Sequence, residues 1–240
     1  MRKMLDLSPN VSVKPRKLSE IKFVILHYTG MQSQIETLKR LKNPKAKVSC
    51  HYLINRGGKI TQIAKDNRVA WHAGKSKWKN FKNLNKNSIG IELENKGHDF
   101  GYQNFTKPQI RKLIGLCKNL KKKYKIKKDN FLGHSDIAPL RKKDPGKRFP
   151  WKKLSNYNFG CWYKLDKKDE EITDRNKLYV NFFKNLHKIG YRYFKIYKRK
   201  KTDKLIVKAF QRRYHPSSVS GKIDQKTLKI SYFLSNQKIS

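Results

Sequence analysis

His27, His134 and Asp144 are the residues of this chain best suited to chemistry. His27 directly follows the apolar run Phe23-Val24-Ile25-Leu26, so it should emerge at the C-terminal end of a strand, where sheet proteins tend to place ligands. His134 follows Phe131-Leu132-Gly133 in the same way and leads into a loop running to Gly146. Gly133, Pro139, Pro145 and Gly146 constrain the path of that loop, so that Asp144 can return toward His134. Two imidazoles and one carboxylate make three ligands suited to Zn2+, with a fourth position left for water. Zinc lowers the pKa of such a water to roughly 7, which provides a hydroxide nucleophile at neutral pH.

Such a site also needs a proton carrier and a cation. Ser88-Ile89-Gly90-Ile91-Glu92-Leu93-Glu94 alternates strictly, which puts Glu92 and Glu94 on one strand face and Ile89, Ile91 and Leu93 on the other. A carboxylate beside a metal can accept a proton from water and return it to a leaving amine. Lys142, two residues before Asp144, is a cation tethered to a ligand and placed to neutralise a developing oxyanion.

The elements that must carry these residues are legible from periodicity. Ile21 to Leu26 reads as a buried strand. Ile35, Leu38 and Leu41 mark a helix that stops near Asn43-Pro44. His51–Ile54 and Ile60–Ile63 flank Asn55-Arg56-Gly57-Gly58-Lys59, the signature of a hairpin. Thr106 caps a helix with Pro108 in its first turn, an apolar stripe from Ile110 to Leu120, and three lysines at its end. Three amphipathic segments follow in the last third. One runs from Asp174 to Gly190, one carries Leu205 to Tyr214 and stops at Pro216, and one starts at Asp224, which together predict a small helical bundle. The organisation read from these signals is an irregular arm over 1–20, a catalytic domain over 21–155, a linker over 156–172 and a helical domain over 173–240.

Composition limits the possible classes of protein. The 240 residues are 37% hydrophobic and 12% aromatic, enough for a packed core, which excludes wholesale disorder. The apolar run at Phe23–Leu26 is only four residues, against the roughly 20 that a membrane helix needs. Cys50, Cys117 and Cys161 show no paired spacing, so a disulfide scaffold is not expected. Met1 to Pro9 holds no apolar stretch of the secretory kind, so a cytoplasmic location is expected, with a periplasmic or wall-associated one as the alternative. Fifty-nine Lys and Arg against 17 Asp and Glu give a formal charge of +42. The field favours nonspecific attraction to polyanions, but the lysines are scattered along the chain and name no specific nucleic-acid partner.

Five blocks in order carry a family resemblance: Ile25-Leu26-His27-Tyr28-Thr29-Gly30, Val48 to Ile54, Ala70-Trp71-His72-Ala73-Gly74, Asn87 to Asn95, and Gly133 to Gly146. Together they resemble the N-acetylmuramoyl-L-alanine amidase type-2 family, which is similar in fold to peptidoglycan recognition proteins and phage T7-type lysozyme. The resemblance covers about residues 20–151. It implies an α/β fold, a central mixed β-sheet flanked by helices, holding one zinc ion per chain. It also implies cleavage of the amide between N-acetylmuramic acid, or its anhydro form, and L-alanine, with peptidoglycan or a muropeptide as substrate. By position, His27, His134 and Asp144 match the zinc ligands, Glu92 the acid/base residue and Lys142 the residue that stabilises the tetrahedral intermediate. Lys143 competes for that last role, and the family's Lys-x-Asp spacing favours Lys142.

Trp71, His72 and Arg141 are candidate substrate contacts in the cleft wall; the alternative for the first two is a buried Trp beside a satisfied His. His51 is expected to hydrogen-bond on its strand, Glu94 to support the site or face solvent, and His98, His187 and His215 to serve as surface or packing residues. Leu186 to Tyr191, Ile206 to Tyr214 and Ser220 to Leu228 resemble the peptidoglycan-binding domain type 1, which would make the final helices a wall-binding appendage. The runner-up function is a recognition protein that binds peptidoglycan without cutting it.

Overall fold

The computed structural model describes residues 4–165 and 174–237. Part of the expected linker, including Lys167–Glu171, lies outside the described residues.

Strand β2 (Phe23–Tyr28) and strand β7 (Ser88–Leu93) lie side by side in a six-stranded sheet. The others are β1 (Met4–Leu5), β3 (Tyr52–Ile54), β4 (Ile60–Gln62) and β8 (Phe131–Gly133), in the order β1-β4-β3-β7-β2-β8. Every neighbouring pair is parallel except the β3–β4 hairpin, so the sheet is mixed as expected. A two-stranded ribbon, β5 (Lys77–Trp78) with β6 (Phe81–Lys82), stands apart from it. The helices are α1 (Gln34–Lys42), α2 (Lys107–Tyr124), α3 (His134–Ile137), α4 (Trp151–Ser155), α5 (Arg175–Ile189), α6 (Asp203–Tyr214) and α7 (Gln225–Asn236).

Local rules account for the helix ends. The Ser33 hydroxyl accepts from Glu36 N–H at the start of α1, and Thr106 and Gln109 form a reciprocal capping box on α2. Asp174 and Asp224 cap α5 and α7 by accepting from backbone N–H groups in each first turn.

Alternation along β2 and β7 decides what each face of the sheet does. Val24, Leu26, Ile89, Ile91 and Leu93 share one apolar cluster with the α2 stripe Ile110, Leu113, Leu116, Cys117 and Leu120. Phe23 and Ile25 face the other way, into a cluster with Phe182, Leu186, Ile206 and Phe210 of the C-terminal helices. The bundle is therefore the layer that covers the second face of the sheet. Gly190 marks how closely it packs: it sits at φ +136°, and a Cβ there would come within 2.5 Å of Trp78. Continuing past Phe23 and Ile25 on that same face, the next inward position of β2 is His27.

Three expectations are corrected. β2 extends through His27 to Tyr28, because the parallel ladder with β7 continues that far. His134 opens a short helix, where a loop was expected, because the Asp136 carboxylate caps its start by accepting from Gly133 N–H at 2.8 Å. The N-terminal arm is not wholly irregular: Met4–Leu5 adds an edge strand to β4, and Arg16 is buried with its guanidinium donating to Asp66, Asn85, Lys86 and Ser88 carbonyls.

Candidate metal centre

The side chains of His27, His134 and Asp144 meet at one point. His27 Nδ1 lies 3.0 Å from His134 Nδ1 and 2.9 Å from Asp144 Oδ2, and His134 Nδ1 lies 3.0 Å from the same oxygen. All three residues are buried, between 1% and 6% exposed. β2 delivers His27, the β8–α3 junction delivers His134, and the following loop is returned by a Ser135 N–H bond to the Asp144 carbonyl at 2.9 Å.

The hydrogen bonds behind the imidazoles fix which nitrogen carries each proton. The Ser88 hydroxyl donates to the Leu84 carbonyl at 2.6 Å, so its oxygen can only accept from His72 Nε2 at 3.2 Å. His72 Nδ1 is then an acceptor, and it takes the Nε2–H of His27 at 3.1 Å. His27 is left with a bare lone pair on Nδ1. His134 reaches the same state by another route, donating from Nε2 to the Ala73 carbonyl at 3.1 Å. Two imidazole lone pairs and one carboxylate oxygen thus converge with no proton to share among them, an arrangement that a cation satisfies.

The donor set fits zinc. Ligands 2.0–2.1 Å from a tetrahedral zinc are about 3.3 Å apart, close to the separations found here. Burial and the proximity of His134 push His27 down to about 4, so it is a neutral, ligating imidazole at physiological pH. Burial alone would raise Asp144, but the two imidazoles hold its carboxyl well below the usual range, keeping it an anionic ligand.

Glu92 is paired in register with His27 across β2 and β7, so it flanks the ligand triangle. Its Oε2 is buried with no hydrogen-bond partner among the described residues. Burial, then the nearby Asp144 charge, raises its carboxyl well above the ordinary value, while Lys142 pulls it back. Lys142 is half-buried, and its charge acts on both Glu92 and His27. Lys143 is exposed and acts on His98 instead, which separates the two lysines.

The other candidates take different places. His72 is 6% exposed and lies behind His27, its ring packed against Gly90 and both its nitrogens within hydrogen-bond distance of His27 and Ser88. Trp71, by contrast, is 36% exposed. Arg141 directs its guanidinium to the carbonyls of Ala73 and Lys75, so its donors hold that loop in place. His51 hydrogen-bonds as expected, accepting from Gly90 N–H at 3.0 Å. Glu94 accepts from Arg56 N–H at 3.0 Å and braces the hairpin turn. His187 is exposed and His215 packs in the bundle near Thr227.

Sequence reasoning missed two features. One is what His98, exposed and packing as expected, packs against: it meets Tyr28 Oη at 2.8 Å and stacks on Tyr102 with ring centroids 4.5 Å apart. The second is a buried clamp from the bundle onto α3. Arg213 of α6 pairs with Asp136, Tyr191 donates to the same carboxylate at 2.6 Å, and Arg213 also donates to the Phe131 carbonyl at 3.0 Å. The one local signal was the carboxylate of Asp136 directly before the apolar pair Ile137-Ala138.

Comparison with known proteins places this geometry in context. Residues 17–147 match the family model described as N-acetylmuramoyl-L-alanine amidase. The chain is 33% identical over 228 residues to N-acetylmuramoyl-L-alanine amidase AmiD of Escherichia coli (strain K12), covering 88% of this chain and 81% of that protein. It is 44% identical over 108 residues to 1,6-anhydro-N-acetylmuramyl-L-alanine amidase AmpD of Haemophilus influenzae, 45% of this chain and 56% of that one. The structure of E. coli AmiD with anhydro-N-acetylmuramic acid-L-Ala-D-gamma-Glu-L-Lys superposes with a TM-score of 0.76 at 29% identity, over 93% of this chain and 91% of that one. AMPDH3 from Pseudomonas aeruginosa with anhydromuramic pentapeptide gives 0.76 at 28% identity, over 92% and 93%.

Proposed function

The chain belongs to the N-acetylmuramoyl-L-alanine amidase family and hydrolyses the amide between N-acetylmuramic acid and stem-peptide L-alanine; from that premise we propose that His27, His134 and Asp144 hold one zinc ion, with Glu92 and Lys142 as the catalytic pair. The observation that carries the assignment is the ligand triangle of bare lone pairs with an unpartnered carboxylate oxygen beside it. The ion supplies Lewis acidity, lowering the pKa of water to about 7 and polarising a carbonyl.

The rest is the work of the chain's own groups. Glu92 accepts one proton from the attacking water, whose oxygen bonds to the lactyl carbonyl carbon. Negative charge then builds on the carbonyl oxygen, and the Lys142 ammonium offsets it. Glu92 returns the proton to the alanine nitrogen as the carbon–nitrogen bond breaks, leaving a free peptide amine and a lactyl carboxylic acid, which then loses its proton to water or to the amine and becomes the carboxylate. A carboxyl whose pKa is raised by burial suits both halves of that transfer. An anhydro-muropeptide is the substrate this reading favours, supported by the ligands named for the two solved relatives, and it would place the protein in cell-wall turnover or recycling.

The test is zinc content and muropeptide cleavage in the wild type and in Glu92→Ala. Full zinc with cleavage lost in the variant supports the assignment; full zinc with undiminished cleavage removes Glu92 from the mechanism. A recognition protein that binds without cutting is disfavoured by the complete ligand set.

A further inference from the structure

The C-terminal bundle reaches the metal centre through a single carboxylate. Asp136 is 1% exposed, and both of its oxygens are engaged. Oδ2 accepts from Gly133 N–H at 2.8 Å and from Arg213 of α6, while Oδ1 accepts from the Tyr191 hydroxyl at 2.6 Å. Arg213 is itself held from two more sides. It donates to the Phe131 carbonyl at 3.0 Å, and its guanidinium lies 4.0 Å from the centroid of the Trp151 ring. The turn from Gly133 to Asp136 supports two of the three ligands. His134 belongs to it, and Ser135 N–H donates to the Asp144 carbonyl at 2.9 Å. It is also pressed against the Asp144 loop, since a Cβ on Gly133 would lie 2.8 Å from Pro145 Cδ.

We infer that Arg213 and Tyr191 are positioning residues for the zinc ligands, acting through Asp136, so that the bundle sets the metal affinity of the amidase site. This rests on the zinc reading above, which supplies the metal. Cohesion between bundle and sheet does not call for such a group: Phe182, Leu186, Ile206 and Phe210 already cover Phe23 and Ile25 with apolar surface. A buried ion pair in that place holds the layers together no better than apolar side chains of similar volume. What it adds is orientation, because a two-pronged guanidinium fixes a carboxylate in direction as well as distance. Ligand atoms must stand within about 0.5 Å of their bonding positions for tight coordination. The His134 ring is set by its own bond to the Ala73 carbonyl, and the backbone beneath it is set by Asp136.

The experiment measures zinc affinity by chelator competition, and the visible spectrum of the cobalt-loaded protein as a report on ligand geometry. Wild type, Arg213→Lys, Tyr191→Phe and Asn185→Ala are compared as full-length protein, each verified as folded at the assay temperature by circular dichroism. Lysine keeps the charge but cannot reproduce the fork that serves Asp136 and the Phe131 carbonyl together. Asn185 donates to Ser231 Oγ at 3.0 Å, so its variant loosens α5 against α7 and leaves the clamp on Asp136 in place. Arg213→Lys is expected to weaken zinc by about 10- to 100-fold, and Tyr191→Phe, which removes one hydrogen bond, by about 3- to 10-fold. Both should alter the cobalt spectrum. Asn185→Ala should lower the thermal midpoint while zinc affinity and spectrum stay at wild-type values. A wild-type result in one clamp variant removes that residue from the assignment, and in both it overturns the inference. An equal loss of zinc in Asn185→Ala also overturns it, because general loosening of the bundle would then suffice. Should Arg213→Lys fail to fold, Tyr191→Phe decides by the same two readings. Failure of wild type to bind zinc overturns the metal reading itself, a distinct result.

Discussion

Ser88→Ala removes one oxygen that touches neither the ligand triangle nor a substrate, yet it should weaken metal binding. The Ser88 oxygen accepts from His72 Nε2, and His72 Nδ1 accepts from His27 Nε2. Without that oxygen the His72 N–H is a buried orphan, which costs about 1–3 kcal/mol. His72 can relieve the cost by moving its proton to Nδ1, but two N–H groups then face each other across the 3.1 Å contact with His27. His27 escapes only by placing its own proton on Nδ1, inside the ligand triangle, where it blocks coordination. The ligating tautomer therefore loses about 1–3 kcal/mol of preference, or about 5- to 150-fold in zinc affinity. The range overlaps the tenfold to hundredfold cost usual for groups that orient a metal-bound histidine. Chelator competition on the metal-free protein measures it directly. His72→Phe, which removes the acceptor itself, should weaken zinc at least as much. Zinc affinities of both variants equal to wild type would refute the reasoning that this chain of hydrogen bonds sets the tautomer of His27.

Other outcomes follow from the same geometry. Glu92→Gln keeps the shape but cannot carry a proton, and should lower kcat by about 10²–10⁴-fold with zinc content unchanged, as read by muropeptide cleavage and metal analysis. Lys142→Met should cost about 10²–10³-fold in kcat with little change in zinc affinity, whereas Lys143→Met should leave the rate near wild type. Burial depresses His27 to about 4, His51 to about 3 and His72 well below its ordinary value. On acidification from 6.5 toward 4 these three take up protons when unfolded but not when folded, so stability falls as pH falls. Buried Glu92, raised in the fold, acts in the opposite direction, so these four groups together leave a net uptake of about two protons and a slope of about 2.7 kcal/mol per pH unit, to which the lowered His98, His187 and His215 add in the same direction as the other histidines. Thermal midpoints of the metal-free protein between pH 7 and 4.5 should fall accordingly, and a flat profile would contradict it.

His27 and His134 were legible because they follow short apolar runs, Asp144 because Pro and Gly residues turn its loop back, and Glu92 because local alternation reports which way a strand side chain points. Glu92 opposite Ile89, Ile91 and Leu93 is the clearest case. Helix limits were legible for the same local reason, through Thr106, Asp174, Asp224 and Pro216. What the sequence hid depends on pairings between distant residues. Nothing near Met4 announces its ladder with Thr61, and nothing near Arg213 announces Asp136, 77 positions away. For His72 the sequence left a cleft-wall contact and a satisfied histidine both open; the close approach at Gly90, where a Cβ would lie 2.4 Å from the His72 ring, shows that the imidazole points inward. The bundle was expected to be an appendage, but its Phe182 and Phe210 share a cluster with Phe23 and Ile25 of the sheet.

Cleavage of the muramoyl–alanine amide is proposed to require one zinc ion held by His27, His134 and Asp144. Product masses from a defined anhydro-muropeptide, followed while zinc is returned stepwise to chelated protein, test it most directly. The expected products are a free lactyl carboxylate and a free alanine amine, absent from chelated protein and rising to a plateau at one zinc per chain. Undiminished cleavage by metal-free protein, or a plateau far from one equivalent, would contradict it.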